Sequence, residues 1–564
     1  MLMNGARSVL ESLKKEGVEV VFGYPGGAVL TLYDAVYKMK FPHVLTRHEQ
    51  GAVHAADGYA RATGKVGVVF ATSGPGATNL ITGIATAMTD SVPLVCITGQ
   101  VANPYIGKDS FQEADIFGIT TPITKHNYLV KDVKDLPRVL KEAFFIARTG
   151  RPGPVVIDVA KDVFDTEFDY EYPETVKLRG YTGDYIGDEQ EIKAAVTAVK
   201  NAKKPLLFVG GGVVGSNTYK ELREIIDILG VSVTSTLLGL GSVRADYEGF
   251  LGFAGMHGSY AANMSIQECD LLLCIGMRFS DRVTGLVSGF APHAKIVHFE
   301  LDKAEVNKNV AADLRVLGDL RWSLPIFKDL LKQTGADFKN SNRKWLEHTI
   351  TMSKEVPFSY KEQGDAIKPG ALIKKISSLV DENAIAVTDV GQHQMWAAQF
   401  FDVYKPRHFL TSGGQGTMGY GLPAAMGAKI GAPDSKVILF TGDGSIMMNC
   451  QEFATIADND IDIKVVILHN EILGMVGQWQ RLFYNHHYSQ SELKGKTDFV
   501  KLAEAMGIKG YRLTKKDELE TKLPDIIKEK GAAVIDVLIP QDEDVLPMVP
   551  GGKRLDQMVL GGAK

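Results

Sequence analysis

The sequence predicts an α/β protein of three doubly wound parallel-sheet domains, and three observations predict it. The stretch from Lys436 to Asn470, KVILFTGDGSIMMNCQEFATIADNDIDIKVVILHN, passes from an apolar strand through a Gly-Asp-Gly turn into helical spacing and a second apolar strand. A strand, helix and strand of that length form a βαβ unit, whose strands are parallel. The same order recurs in residues 58–99, GYARATGKVGVVFATSGPGATNLITGIATAMTDSVPLVCITG. Between the two copies, PLLFV runs into Gly210-Gly211-Gly212, the start of a further sheet.

Taken in order, residues 1–165 alternate helix and strand and form the first domain. Residues 166–190, TEFDYEYPETVKLRGYTGDYIGDEQ, are polar, aromatic and acidic without long periodicity and read as a linker. Residues 191–336 form the central domain, with strands at Pro205–Val209, Asp270–Ile275 and Lys295–Leu301. Residues 337–366 are a charged, helical connector. Residues 367–545 form the last domain. The Gly/Pro-rich tail, 546–564, is suited to fold over a site as a lid.

Composition excludes several classes. At 564 residues, 45% hydrophobic and 23% charged, the chain is an ordinary globular protein of about three to four domains. A net charge of −5 argues against a nucleic-acid partner. No apolar run reaches membrane-spanning length. MLMNGARSVLESLKKEG reads as an amphipathic helix, not a signal or transit peptide. Cys96, Cys269, Cys274 and Cys450 are scattered in apolar contexts without metal spacing, and read as reduced thiols of a cytoplasmic protein.

Asp443 and Asn470 carry the first chemical signal. Asn470 lies 26 positions after Gly444, so both side chains fall at the carboxyl edge of parallel strands, where α/β sheets bind ligands. A carboxylate and an amide oxygen suit Mg2+, which completes its octahedron with phosphate and water. The glycines let backbone N–H groups approach a diphosphate at a helix start. A lone Gly-Asp-Gly is usually a plain turn; the spacing to Asn470 makes this one specific. In the first copy Pro75 matches Asp443 and Asn470 falls near Gly99, so only the second copy holds a metal. The candidate in the first copy is Glu49 in RHEQGA. Its plainer reading is an acid favoured by the helix dipole.

The motifs FGYPGGA, RHEQGA, GYARATGK, SGPGATNLITG, FQEAD, GRPGP, GMHG, RFSDRVTG, GTMGYGLPAA, GDGS and LGMVGQWQ span the chain. In this order they resemble the catalytic subunits of the acetohydroxyacid synthase (acetolactate synthase) family of thiamine diphosphate enzymes. The resemblance implies a pyrimidine-binding domain, a central Rossmann-like FAD domain and a diphosphate-binding domain. It implies decarboxylation of pyruvate and transfer of the remaining two-carbon unit to pyruvate or 2-oxobutyrate. The products are 2-acetolactate or 2-aceto-2-hydroxybutyrate, on the route to valine, leucine and isoleucine.

The resemblance also assigns residues. Glu49 bonds the cofactor's aminopyrimidine, and Met418 wedges the cofactor into a bent shape, although a Met here is equally a core residue. Gly391, Gln392, His393, Gln415, Gly444, Ser445 and Met475 hold the cofactor, with Mg2+ on Asp443, Asn470 and the backbone of Ile472. Gly27, Ala28, Phe111, Gln112 and Lys161 line the substrate pocket from the first domain, Gln112 and Lys161 acting in catalysis. Arg282, Val476 and Trp479 complete it, with Arg282 suited to bind a carboxylate in two-point fashion. FAD is implied at Arg151, Gly211, Gly212, His257, Arg278, Glu300 and Asp319. GMHG and RFSDRVTG favour this FAD-containing type over FAD-free acetolactate synthases, pyruvate oxidases and oxo-acid decarboxylases. Departures from the family pattern stand at Lys108, Ser280, His469 and Gly477; a glycine at 477 implies a more mobile loop. The resemblance further implies a homodimer or homotetramer with active sites at the subunit interface, and allows for a regulatory small subunit.

Overall fold

In the computed structural model, all residues are described except Asp184, Gln363 and residues 561–564, so the last four positions of the expected tail lie outside the described residues. Three six-stranded parallel sheets organise the chain, with helices against them.

The first sheet has the spatial order His43–Leu45, Val21–Gly23, Gly67–Ala71, Leu94–Gln100, Pro154–Ala160, His126–Val130. The last has the order Phe409–Leu410, Ile385–Thr388, Val437–Gly442, Ile463–His469, Ala533–Leu538, Lys509–Leu513. Numbered within each sheet, both orders are 2-1-3-4-6-5, so the internal echo read from residues 58–99 and 436–470 is a repeat of topology. Helices cover both faces, which explains why the central strands are continuous apolar runs rather than alternating ones. Every residue of Val437–Gly442 and Leu94–Gln100 is buried. The middle sheet runs Phe250–Phe253, Ser232–Ser235, Pro205–Val209, Leu271–Ile275, Lys295–Glu300, Leu314–Leu317. That is the 3-2-1-4-5-6 order of dinucleotide-binding folds, and it puts the topological switch between Pro205–Val209 and Leu271–Ile275.

Small residues join the first and last sheets. The helices Glu49–Thr63 and Gly421–Gly431 cross so closely that a Cβ at Gly427 would run into the Ala55 carbonyl, and one at Gly58 into Ala424. Arg61, on the first of these helices, donates to Asp57 at 2.5 Å, to Asp90 at 2.8 Å and to the Thr411 carbonyl at 2.9 Å. Asp90 in turn accepts from the N–H groups of Gly413 and Gly414. Arg407 donates to the carbonyls of Arg61 and Val214, both at 3.1 Å, and so ties all three sheets' surroundings together.

Local differences from the sequence reading have physical causes. Glu49 is the first residue of helix Glu49–Thr63, because His48 caps that helix with Nδ1 accepting the Gln50 N–H. Within the expected linker, Glu167–Asp169 pairs antiparallel with Leu2–Asn4, and Tyr170 and Tyr172 pack on the first core. In the connector, helix Phe338–Glu355 buries Trp345, whose Nε1 donates to the Pro205 carbonyl at 3.1 Å. In the tail, Met548, Val549 and Leu555 are buried, and the Val549 N–H donates to the Met256 carbonyl. Gly477 lies buried inside helix Gly474–Phe483, not in a loop, and a Cβ there would meet Ile472. All four cysteines are free.

Candidate active site

Strand ends of the last sheet assemble the first half of the site. Asp443 follows Val437–Gly442 directly and is buried. Its Oδ1 accepts the Gly444 N–H at 3.0 Å and its Oδ2 the Glu471 N–H at 2.7 Å. Burial pushes the Asp443 carboxyl above the usual range, and the nearby His469 and these N–H groups pull it back. Asn470 directly follows the neighbouring strand Ile463–His469, with Oδ1 3.4 Å from the Ile472 nitrogen. Between them Glu471 takes a left-handed conformation, φ 58°, turning the chain sharply beside Asp443. Among the described residues no three His, Cys, Asp or Glu side chains converge as a metal cage. One carboxylate and one amide oxygen at adjacent strand ends are instead the sparse oxygen set that suits Mg2+ when phosphate supplies further oxygens.

His469 does not turn towards that set as a ligand. Its Nδ1 lies 2.8 Å from Asp536 Oδ1, and its Nε2 is 3.9 Å from Asp443 Oδ2. Although burial acts to lower its pKa, the two aspartates raise it above the ordinary value.

The adjacent strand Ile385–Thr388 delivers Gly391, Gln392 and His393 to the same edge. Gly391 has φ 149°, a conformation reserved for glycine. The Ser445 hydroxyl donates to the Val390 carbonyl at 3.0 Å, and a Cβ at Gly442 would lie 2.9 Å from His393 Nδ1. Burial drives His393 down to about 3, so its ring is neutral. Gln392 Oε1 and His393 Nε2 are buried without a protein partner, so polar capacity remains for a ligand held between these glycine turns. Thiamine diphosphate fits that description: its diphosphate needs close backbone N–H groups and its metal needs the Asp443–Asn470 pair. Met418 approaches the cradle, its Cε 3.9 Å from where a Gly444 Cβ would stand.

A cavity of about 900 Å3 runs from this edge to the middle sheet. All seven residues expected at FAD line it: Arg151, Gly211, Gly212, His257, Arg278, Glu300 and Asp319. Gly212 leaves space because a Cβ there would lie 2.8 Å from Gly276, at the topological switch. Arg278, its pKa lowered by burial and then by Arg151, presents a guanidinium at that opening. Burial lowers His257 to about 4, and its Nδ1 has no protein partner. Arg151 spans from the first sheet, with Nε donating to Ser91 at 2.8 Å and Nη1 to Glu305 at 3.0 Å. The volume, the glycine turn and the cationic lining fit a flavin dinucleotide.

The same cavity is lined by Gly391, Gln415, Met418, Met475, Val476, Trp479 and Arg282. Gln415 Nε2 donates to Thr89 at 3.1 Å, and Arg282 lies over the Trp479 ring.

The first sheet's carboxyl edge collects the remaining residues apart from that cavity. Glu49, 9% exposed, accepts the Asn79 Nδ2–H at 3.0 Å. The Ala28 N–H donates to Thr72 Oγ1 at 3.2 Å, and Gly27 opens that turn. A Cβ at Gly76 would fall between Thr72 and Glu49, so the Gly-Pro-Gly turn sits against the acid. Gln112 takes a left-handed conformation, φ 58°, beside Gly74, an arrangement that holds backbone strain at this edge. Phe111 is 88% exposed, and Lys161 starts the helix after Pro154–Ala160. None of Gly27, Ala28, Glu49, Phe111, Gln112 or Lys161 lines the cavity.

Of the other departures, Ser280 precedes helix Asp281–Thr284 without a side-chain cap, and Lys108 is exposed. Two site-building residues carried no signal of their own in the sequence. Asn79 lies inside SGPGATNLITG but acts through a turn whose shape the string does not reveal. Glu452 reads as one acid on an amphipathic helix, yet it is fully buried.

Family models match three successive segments. Residues 3–119 match the "Thiamine pyrophosphate enzyme, N-terminal TPP binding domain", residues 192–326 its central domain, and residues 389–537 its C-terminal TPP binding domain. The acetolactate synthase isozyme 2 large subunit of Escherichia coli is 46% identical over 557 residues, covering 99% of each chain. A probable acetolactate synthase large subunit of Methanocaldococcus jannaschii is 46% identical over 567 residues, covering 99% of this chain and 95% of that one. The acetolactate synthase large subunit of Haemophilus influenzae is 44% identical over 562 residues, covering 99% and 98%. The chain therefore belongs to the thiamine pyrophosphate enzymes and, among them, to the acetolactate synthase large-subunit family.

Proposed function

We propose that the protein is an acetohydroxyacid synthase. It decarboxylates pyruvate and joins the remaining two-carbon unit to pyruvate or 2-oxobutyrate, giving 2-acetolactate or 2-aceto-2-hydroxybutyrate for branched-chain amino acid synthesis. The observation that carries this reading is one continuous cavity that runs from Gly211–Gly212 to Met418 and Trp479 in a chain that aligns end to end with acetolactate synthases.

When bound, thiamine diphosphate would supply a nucleophilic carbanion and an electron sink for decarboxylation of a 2-oxo acid. The chain's residues do the rest. Asp443, Asn470 and the Ile472 backbone hold Mg2+ and, with Gly391, Gln392, His393, Gly444 and Ser445, fix the diphosphate. Glu49 holds a proton at the aminopyrimidine nitrogen. Met418 would wedge against the cofactor, with Gln415 and Met475 lining the same cavity. Arg282 pairs with the carboxylate of the second oxo acid while Val476 and Trp479 bound its alkyl group. Gly27, Ala28, Phe111, Gln112 and Lys161 of the first domain would line the substrate pocket from the opposite side, Gln112 and Lys161 acting in catalysis. FAD is held by Arg151, Gly211, Gly212, His257, Arg278, Glu300 and Asp319; the condensation transfers no net electrons.

The active site is proposed to form between two copies, in a homodimer or homotetramer. Glu49 does not line the cavity of its own chain, and apolar side chains stand uncovered near both edges: Phe111, Met447 and Met448 are 88%, 46% and 51% exposed. The "large subunit" in the relatives' names supports a regulatory small subunit as a further partner. Free, mostly buried thiols support a cytoplasmic setting. Among the described residues no helix is long and apolar enough to cross a membrane.

The test is product identification. Purified protein with thiamine diphosphate, Mg2+, FAD and pyruvate is expected to form 2-acetolactate, and to bind flavin visibly. Acetaldehyde or acetyl phosphate as the product would overturn the reading.

A further inference from the structure

Glu452 opens helix Glu452–Asp458, nine positions after Asp443, and is 0% exposed. Its carboxylate faces the segment that leads into Glu49. The Arg47 N–H donates to both oxygens, each at 3.1 Å, and the Thr455 hydroxyl donates to Oε2 at 2.6 Å. Gly51 leaves room for it, because a Cβ there would collide with the Glu452 carboxyl. The Arg47 side chain reaches Asp458 on the same helix, a second tie between the segments.

Helix stability alone does not explain this arrangement. The helix that starts at Glu49 already has its cap, since His48 Nδ1 accepts the Gln50 N–H at 3.0 Å. A fully buried carboxylate loses its hydration, which is costly unless hydrogen bonds replace it. Here the replacing donors come from Thr455 and from the backbone just before Glu49. What such a carboxylate adds is a fixed relation between two parts of the chain. The helix that follows the Asp443 turn grips the start of the helix that carries Glu49. Asn79 then holds the Glu49 carboxyl itself.

We infer that Glu452 is a positioning residue for Glu49: it clamps the Thr46–His48 backbone, so that the Glu49 carboxyl is presented in one direction. This deepens the proposed function and rests on the role given there to Glu49. Displacement of a reacting group by about 1 Å costs up to roughly a hundredfold in rate, so a clamp of this kind acts on turnover more than on binding.

The test uses the full-length protein carrying Glu452→Ala or Glu452→Gln, with Glu49→Gln in parallel. Glu452→Ala is expected to lower kcat by roughly tenfold or more. KM for pyruvate and thiamine diphosphate affinity, read by quenching of intrinsic fluorescence, stay within about twofold. In cofactor-free protein, amide exchange speeds up in the 46–53 segment and stays unchanged elsewhere. Glu452→Gln keeps the side chain's size and one acceptor oxygen for the Arg47 N–H; it recovers part of kcat, and it alone carries the test if the alanine variant does not fold. Three results would overturn the inference: wild-type kcat in Glu452→Gln and Glu452→Ala, loss of kcat in step with cofactor affinity, or amide exchange that quickens evenly across the molecule. If Glu49→Gln keeps wild-type turnover, the role of Glu49 fails instead, and the exchange data still report on the clamp.

Discussion

The guanidinium carbon of Arg282 lies 5.8 Å from the centre of the Trp479 ring, so the middle and last parts of the chain meet over the cavity. The Trp479 Nε1 is buried without a partner, and Arg282 itself is exposed on its other side, with a 3.5 Å contact to Met256 Sδ. An indole that carries a cation on its face is held in place, and under the proposed function its edge would limit the alkyl group of a bound oxo acid. Trp479→Leu is expected to lower the preference for 2-oxobutyrate over pyruvate by roughly tenfold, within the ~1–3 kcal/mol that one methylene contact supplies. Competition between the two acids in one reaction mixture measures it. An unchanged product ratio would remove Trp479 from the pocket.

Gly427 is predicted to tolerate no side chain. A Cβ there runs into the backbone carbonyl of Ala55 across the two crossed helices, and a backbone group cannot rotate away. Gly427→Ala should destabilise the protein by about 1–3 kcal/mol or more, read as a lower Tm in thermal unfolding. Gly551→Ala, in open space, is the control and should leave Tm unchanged.

Acid should weaken the fold through buried neutral histidines. His54 has both ring nitrogens buried without partners, and burial, then the Arg61 charge, lowers it to about 3. The unfolded chain protonates His54 near its ordinary value of about 6.5, so between roughly pH 6.5 and 3 the unfolded state binds the extra proton. Stability is therefore full above about pH 6.5 and is lost as pH falls through that window. His54→Leu removes one such group, since the leucine has no proton to take up. Its denaturation midpoint should move to lower pH relative to wild type, with His393 and His257 still contributing their share.

Removing the metal should loosen the cofactor rather than the fold. Asp443 is buried and each of its oxygens accepts one N–H group, so Asp443→Asn keeps the side chain's size but loses one of those hydrogen bonds and the charge that Mg2+ requires. Thiamine diphosphate with Mg2+ is expected to raise the Tm of wild type and to leave Asp443→Asn unmoved. A chelator should bring wild type to the same behaviour. Equal stabilisation of the two proteins would show that the metal sits elsewhere.

The βαβ unit around Asp443 and its echo near Gly74 were legible because apolar runs and glycine turns are local in sequence. So were the glycines at 210–212, whose 3-2-1-4-5-6 sheet only the structure shows. Relations that cross the chain were not legible. Nothing in RHEQGA says that Glu452 reaches its backbone, which depends on how the first and last sheets dock, or that Asn79 binds its acid, which depends on the shape of the turn after Gly67–Ala71. Nor does the sequence show why Gly58 and Gly427 are small: the reason is the close crossing of their two helices. Gly477 looked like a loop residue because glycine often interrupts helices, but here Ile472 fills the space that a side chain would need.

The central claim is that Glu49 of one copy works with the Asp443 cradle of another. Mixing Glu49→Gln and Asp443→Asn proteins, after dissociation and reassociation, tests it directly. Each variant alone should be nearly inactive. Random mixed dimers then contain one site with both residues intact, so acetolactate formation should return to roughly a quarter of wild type. If each chain's site were its own, every site in the mixture would lack one of the two residues, and an absence of recovered activity would contradict the account.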